Sequence, residues 1–271
     1  PWDAPAPYDA MYDPADMPAS APRFRDACPQ RPNGYLDQLF TKKGSVCRDE
    51  TLARELKANY CGKVSLIDKL IGDLLETVRQ RGQWDDTVIV FTSDHGEMNG
   101  DHGLVKKRNF LRQSLNIPLI IRTPATMSTG GWSSDALVNL LDVGPTLVEA
   151  AGGRVDWTQF GHSLLGHAEK RAQEPRTCIL SELQGERMYL DGTWKMVVNA
   201  LGESYLLFNV EDDPMEQLNV AGCPEYREVE NRLKVRLLEE ICRTTAVKPQ
   251  ISLAPIPKES VAGYERFTGK P

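Results

Sequence analysis

The run Thr87-Val88-Ile89-Val90-Phe91-Thr92 limits the possible folds of this chain more than any other stretch. It is short, β-branched and aromatic, and it lacks the polar alternation that would give a strand one face suited to water. It therefore predicts a strand buried on both sides, as in a parallel sheet. Upstream, Leu52, Leu56, Ile67, Leu70, Ile71, Leu74, Leu75 and Val78 recur at helical spacing. They predict one long amphipathic helix that begins at Asp49, stops at Arg81-Gly82 and has room for a bend at Gly62. Downstream, Ile117-Pro118-Leu119-Ile120-Ile121 predicts a second strand. Helix, strand, loop and strand in that order predict an α/β layered domain, in which functional residues gather just past the C-terminal ends of strands. The polar residues 93–107 fall in such a place.

The flanking sequence is simpler. Residues 1–41 alternate Pro with aromatic and acidic residues and predict an extended wrap that cannot form a core alone. Asp142 as cap, Pro145 in the first turn and Gly152-Gly153 as a stop predict a further helix. Strand-like runs follow at 178–180, 188–190, 194–198 and 205–210, with Asp191-Gly192 as a hairpin turn. A last helix, residues 226–242, offers Val229, Leu233, Val235, Leu237, Leu238 and Ile241 to cover that small antiparallel sheet, and the tail from Lys248 to Pro271 reads as a surface strap. The chain divides on this reading into an α/β portion, 1–175, and a small antiparallel-sheet-plus-helix subdomain, 176–271.

At 271 residues with 41% hydrophobic and 26% charged side chains, the chain is long enough for a sizeable core and has an ordinary globular composition. Its formal net charge is -6, and the longest basic run is Lys106-Lys107-Arg108, so its field repels polyanions and argues against a nucleic-acid partner. No apolar run reaches the roughly 18 residues of a membrane span. The six cysteines show no metal-knuckle or redox spacing, which leaves the compartment undecided. The first residues carry neither an initiator Met nor a secretion-signal pattern and read as the middle of a longer protein; cytoplasmic, periplasmic and secreted locations all stay open, as does the oligomeric state.

Chemistry concentrates in Ser93-Asp94-His95-Gly96-Glu97 and Asp101-His102-Gly103-Leu104, with Lys106 and Lys107 close behind; two of the four histidines in the chain fall here. Adjacent Asp and His at a strand end can present a carboxylate oxygen and an imidazole nitrogen to one cation, and Gly96 would permit the sharp turn this needs. A divalent ion held there acts as a Lewis acid on an ester oxygen, while a nearby ammonium neutralises the charge that develops on a sulfate or phosphate group. The bare spacing equally allows Asp94 to cap a turn and the histidines and lysines to be surface groups.

The order of motifs goes further. A long helix, Thr-Val-Ile-Val-Phe-Thr, Ser-Asp-His-Gly-Glu, Gly-Asp-His-Gly-Leu, a Lys four residues past the last glycine, and Ile-Pro-Leu-Ile-Ile-Arg resemble the type I sulfatases of the alkaline phosphatase superfamily over residues 60–124. Weaker collinear matches lie at residues 8–14, 141–146 and 206–214. The resemblance implies an α/β fold with a partial alkaline-phosphatase-like sheet, flanking helices and a small C-terminal α+β subdomain. It implies Asp94 and His95 as two ligands of a divalent ion, Ca2+ first and Mn2+ or Mg2+ as alternatives. The family lysine that bridges sulfate and nucleophile corresponds by its offset from Gly103 to Lys107 rather than Lys106, and His102 is implied at the rim of the substrate site. Many relatives carry Tyr-Glu where this chain has Leu111-Arg112, which removes a negative charge behind the lysine loop.

The implied activity is hydrolysis of a small-molecule sulfate ester, of arylsulfatase or choline-sulfatase type, with a phosphonate monoester or phosphodiester hydrolase as the alternative in the same superfamily and a non-catalytic metal-binding or scaffold module as the alternative of another class. The family centre also needs two aspartates at the end of the first strand and a Cys or Ser in a Cys-x-Pro-Ser-Arg context, matured to formylglycine when it is Cys. Neither is found: Cys28-Pro29-Gln30-Arg31 has its arginine at the wrong offset, and Cys223-Pro224-Glu225-Tyr226-Arg227 lacks the inner Pro-Ser. The formylglycine is therefore expected only in a missing N-terminal half of the same protein, which is also the expected partner of this part. The chain by itself is expected to be inactive and, with an uncovered sheet edge, poorly soluble.

Overall fold

The computed structural model describes residues 3–128, 130–155, 160–171 and 176–246. The tail strap and the boundary at residue 175 lie outside them. The first segment wraps as expected, with 3-10 turns at Tyr8–Ala10 and Pro14–Asp16, a two-residue strand β1 (Arg25–Asp26) and a short helix α1 (Tyr35–Leu39). Helix α2 (Glu50–Gln80) is capped by the Asp49 carboxylate on the Leu52 N–H at 2.8 Å and gives way to Gly82 at φ 67°. It runs unbroken across Gly62. The glycine there serves a close approach, because a Cβ would stand 2.0 Å from the Tyr8 carbonyl oxygen of the wrapping segment.

Strand β2 (Ile89–Thr92) pairs with β3 (Leu119–Arg122), and the pairing is antiparallel, with Thr92 opposite Leu119. The parallel arrangement expected of these two strands is not found. The chain leaves the pair at Thr92 and returns beside it at Leu119, and a connection that departs from and returns to one end makes an antiparallel ladder. Nor is the pair buried on both sides, since Phe91 and Ile120 are 36% and 61% exposed. The connection carries the short helix α3 (Arg112–Leu115); helices α4 (Val143–Ala150) and α5 (Leu165–Ala168) follow. Asp142 precedes α4 as expected, but its carboxylate does not cap it. It accepts the His162 and Asn139 N–H groups at 2.7 Å each and pairs with Arg176.

Four strands, β4 (Ile179–Leu183), β5 (Glu186–Leu190), β6 (Trp194–Val198) and β7 (Ser204–Asn209), form an antiparallel meander. A two-residue strand β8 (Leu218–Asn219) pairs in parallel with β1, and helix α6 (Arg227–Ala246) closes the chain. Alternation along these strands sends Met188, Val197, Leu206 and Phe208 into one core with Phe24, Leu36, Leu39, Met98, Leu104, Phe110 and Leu111. The other face, with Tyr189, Met196, Val198 and Leu207, packs on Leu233 and Leu237 of α6. Burial of each such side chain contributes about 1.5–3 kcal/mol. The sheet is thus covered on both faces, by α6 and by the loops that carry the site. Val235 and Leu238, expected on the covering face, are 56% and 59% exposed; Leu233 and Leu237 lie one helical turn apart on the buried stripe, with Val229 and Ile241 partly buried against the same core. Cys28 and Cys223 form a disulfide that ties the wrap to the start of α6. Among the described residues no helix is long and apolar enough to cross a membrane.

Candidate metal and anion site

The polar loop begins directly past the C-terminal end of β2. Its first turn is held locally: the Ser93 hydroxyl donates to the His95 carbonyl at 2.9 Å, and the His95 N–H donates to Asp94 Oδ1 at 3.0 Å. The result aims two side chains at one point, with Asp94 Oδ2 3.3 Å from His95 Nε2. His95 Nδ1 lies 2.9 Å from the Gly96 carbonyl oxygen. A carbonyl only accepts, so the proton of that bond sits on Nδ1, and in the neutral ring Nε2 faces the Asp94 carboxylate with a lone pair. Two acceptors at that separation repel unless a cation lies between them or the ring takes a second proton. Donors bound at about 2.3–2.6 Å to one calcium ion and roughly at right angles stand about 3.3–3.7 Å apart. A metal-ligating histidine that gives its other N–H to a backbone carbonyl is also the usual supporting arrangement. The pair therefore fits a divalent cation. The Asp94 side chain is 79% exposed, which leaves room for ligands from elsewhere.

Gly96 has a reason other than the expected turn. It does not adopt a positive φ; instead a Cβ would stand 1.9 Å from the Gln113 carbonyl oxygen, and the Gly96 N–H donates to the Ser114 carbonyl at 2.8 Å. The loop of residues 93–97 is thus docked on α3. Among the described residues, the one group of three potential ligands with mutually close ligand atoms is Cys28, Cys223 and Glu225, and its two sulfurs are joined in the disulfide. That pairing leaves no thiolate there for a metal and none at Cys223 for a nucleophile.

Lys107 is exposed and sits between two left-handed residues, Lys106 at φ 70° and Arg108 at φ 75°. Such non-glycine conformations each cost on the order of 1–3 kcal/mol and persist where the surroundings impose them. Glu97, half-buried, is one of those surroundings. Burial pushes its carboxyl above the usual range, opposed by the N–H groups of Asn99, Lys106 and Met98 and by the charge of Lys107. One carboxylate thereby ties the end of the loop of residues 93–97 to the start of the lysine loop.

His102 is not on a rim. It is fully buried at φ 54°, against the Phe24 ring at 6.0 Å between centroids, and neither ring nitrogen has a hydrogen-bond partner. Burial lowers its pKa, against the pull of Glu216 and Asp101. Its neighbour Asp101 is the connected one, accepting from the Ala21 N–H at 3.1 Å, from Lys57 Nζ at 3.0 Å and from Gln113 Nε2 at 3.2 Å. The space behind the lysine loop is also not left without a carboxylate by the Leu111-Arg112 pair. Glu216, far away in sequence, accepts the Arg112 N–H at 2.9 Å and pairs with the buried Lys195. Glu97 and Asp101 stood inside the motifs with no role assigned to them, and Lys195 and Glu216 lay outside the motifs; the one signal available for Lys195 was a lysine within an otherwise apolar strand.

An α/β layer with flanking helices, a covered antiparallel sheet and a polar loop past a strand end defines the fold class shared by sulfatases and phosphonate hydrolases. The structure superposes on a phosphonate monoester hydrolase of Agrobacterium radiobacter with a TM-score of 0.75 at 25% identity, covering 90% of this chain and 54% of that one. The chain belongs to the sulfatase family, whose sequence model matches residues 6–153. It is 32% identical over 259 residues to the multifunctional alkaline phosphatase superfamily protein PehA of Trinickia caryophylli, covering 83% of this chain and 50% of that protein. It is 35% identical over 186 residues to a choline-sulfatase of Rhizobium meliloti, covering 65% of this chain and 35% of that protein. The chain spans half or less of the length of these two relatives.

Proposed function

We propose that this chain contributes Asp94, His95 and Lys107 to a metal-dependent sulfuric ester hydrolase of arylsulfatase or choline-sulfatase type, acting on a small-molecule sulfate ester. The observation that carries the proposal is the meeting of Asp94 Oδ2 and His95 Nε2 at 3.3 Å with the imidazole proton already committed to Gly96. Asp94 and His95 would hold the ion, Ca2+ in the first instance. When bound, the ion would supply Lewis-acid polarisation of an ester oxygen. Lys107, on a loop held by Glu97, brings an ammonium to the anionic group and neutralises charge there. His102 supports this loop from within.

The sequence holds no Cys-x-Pro-Ser-Arg motif, and on this reading the nucleophile is supplied from outside these 271 residues. By itself the chain would turn over little or no substrate. A second reading, hydrolysis of phosphonate monoesters or phosphodiesters, fits the similarity to a phosphonate monoester hydrolase. Aryl sulfate and aryl phosphonate hydrolysis by the enzyme containing this chain, measured side by side, decides between them; a tenfold preference for phosphonate reverses the order. Calorimetric titration of the chain with Ca2+ tests the site directly. Saturable binding that vanishes in the Asp94→Ala/His95→Ala variant supports it, and equal binding by the variant, or hydrolysis that survives the double substitution, ends it.

A further inference from the structure

Lys195 is the second residue of β6, on the face shared with Val197, and its side chain is 3% exposed. Lysine is almost never buried to this degree unless paired, because an ammonium loses its hydration. Its partner Glu216 is also 3% exposed and stands at φ 58°, a left-handed conformation that a glutamate does not choose unaided. Burial pulls the Lys195 ammonium below its usual range, and the Glu216 carboxylate opposes that.

Each member of the pair also reaches one backbone group of the same loop. Lys195 Nζ donates to the Phe110 carbonyl at 2.6 Å, and Glu216 Oε2 accepts the Arg112 N–H at 2.9 Å. Leu111, between those two anchors, is fully buried. Apolar packing alone would hold Leu111 in place but would not fix how the peptide groups on either side are turned; the two ionic tethers do.

The clamped point lies between the two parts of the site. On one side the chain runs back through Arg108 to Lys107. On the other it enters α3, whose Ser114 carbonyl receives the Gly96 N–H at 2.8 Å and whose Gln113 carbonyl Gly96 packs against. We infer that Lys195 and Glu216 are positioning residues, which set Lys107 and the Asp94-His95 pair in register with one another from within the C-terminal sheet. The functional part of this inference rests on the proposed metal and anion site; the tethering itself does not.

The test uses the chain with Lys195→Met/Glu216→Met, which removes both tethers at similar volume and leaves no unpaired charge. Amide hydrogen exchange, read by mass spectrometry without metal, is compared over residues 94–98, 106–116 and 186–209. The expected result is at least tenfold faster exchange in the first two segments with unchanged protection in the sheet, together with a tenfold weaker Ca2+ affinity by calorimetry. Unchanged exchange and affinity overturn the inference. If the wild-type chain shows no Ca2+ binding, the functional assignment fails while the exchange comparison still decides the tethering. If the double variant loses the sheet as well, Glu216→Asp takes its place, because it keeps the charge pair but withdraws the carboxylate from Arg112; wild-type exchange at residues 106–116 in that variant overturns the inference equally.

Discussion

Replacing Gly96 by alanine tests the docking of the loop of residues 93–97 on α3 more sharply than removing Asp94 or His95 does. The new Cβ would start 1.9 Å from the Gln113 carbonyl oxygen and 3.0 Å from its carbon. Restoring an ordinary contact near 3.4 Å requires the loop and α3 to part by about 1.5 Å. That movement breaks the 2.8 Å bond from Gly96 N–H to Ser114. Overpacking of this kind costs about 1–3 kcal/mol, and the lost hydrogen bond adds about 1 kcal/mol. The sum, about 2–4 kcal/mol, lowers the melting temperature by roughly 5–15 °C in a chain of this size. Ca2+ affinity should fall about 10–100-fold, the usual effect of losing a support behind a metal ligand. Gly103→Ala is the control: nothing lies within 4 Å of its Cβ, and only its φ of 71° is strained, so it should cost about 1–2 kcal/mol and leave Ca2+ binding nearly intact. Calorimetric titration and thermal melting read both quantities. If Gly96→Ala bound Ca2+ as the parent does and melted with it, the argument from close approach would be wrong.

Three further outcomes follow from the same structure. The Cys28–Cys223 disulfide spans 195 residues of sequence, so Cys28→Ser should destabilise by about 2–5 kcal/mol; equal urea midpoints with and without reductant would contradict this. Asp37 is held below the ordinary carboxylate range because, although burial alone would raise it, the Arg31 guanidinium and the Gly34 N–H outweigh burial. A depressed carboxyl contributes stability above its unfolded pKa and loses it as pH falls through the folded value, so stability should drop below about pH 4. Asp37→Asn should flatten that drop and weaken the fold at pH 7, and parallel pH profiles for the two proteins would count against the assignment. Finally, Leu237→Ala should cost about 2–5 kcal/mol and Leu238→Ala less than about 0.5 kcal/mol, since Leu237 is 5% exposed and Leu238 59%; similar losses in denaturant melts would place α6 the wrong way round.

The elements that were legible in the sequence are those written in local chemistry. Asp49 and Gly82 bracket α2 because a cap and a left-handed stop act within one turn of the helix they bound. The Asp191-Gly192 hairpin and the site loop past Thr92 follow from equally local signals. The direction of the β2–β3 pairing was not legible, since an apolar run states that a strand wants neighbours and says nothing of which way they run. The apolar positions of α2 misled in a related way: Ile67, Leu70 and Leu74 are 50%, 55% and 63% exposed, while the buried positions are Ala53, Ala58 and Gly62, the last of them against the wrapping segment at Tyr8. Small residues mark where backbone approaches backbone, and periodicity in large residues does not reveal that surface.

The site divides along the same line. Asp94, His95 and Lys107, the residues proposed for the site, could be named because they sit close together in sequence. What holds them does not: Glu216 comes to the Arg112 N–H across 104 residues and Lys195 to the Phe110 carbonyl across 85. A carboxylate missing from one position can be supplied by a residue that is adjacent only after folding, so a motif that departs from its family's pattern at residues 111–112 need not have lost the charge. His102 makes the complementary case. Its place between Asp101 and Gly103 reads as chemistry, yet its ring is enclosed beside Phe24 with neither nitrogen bonded. An imidazole in that setting is kept neutral by burial, and a neutral, enclosed ring can shape the lysine loop but cannot exchange protons with an ester in solvent.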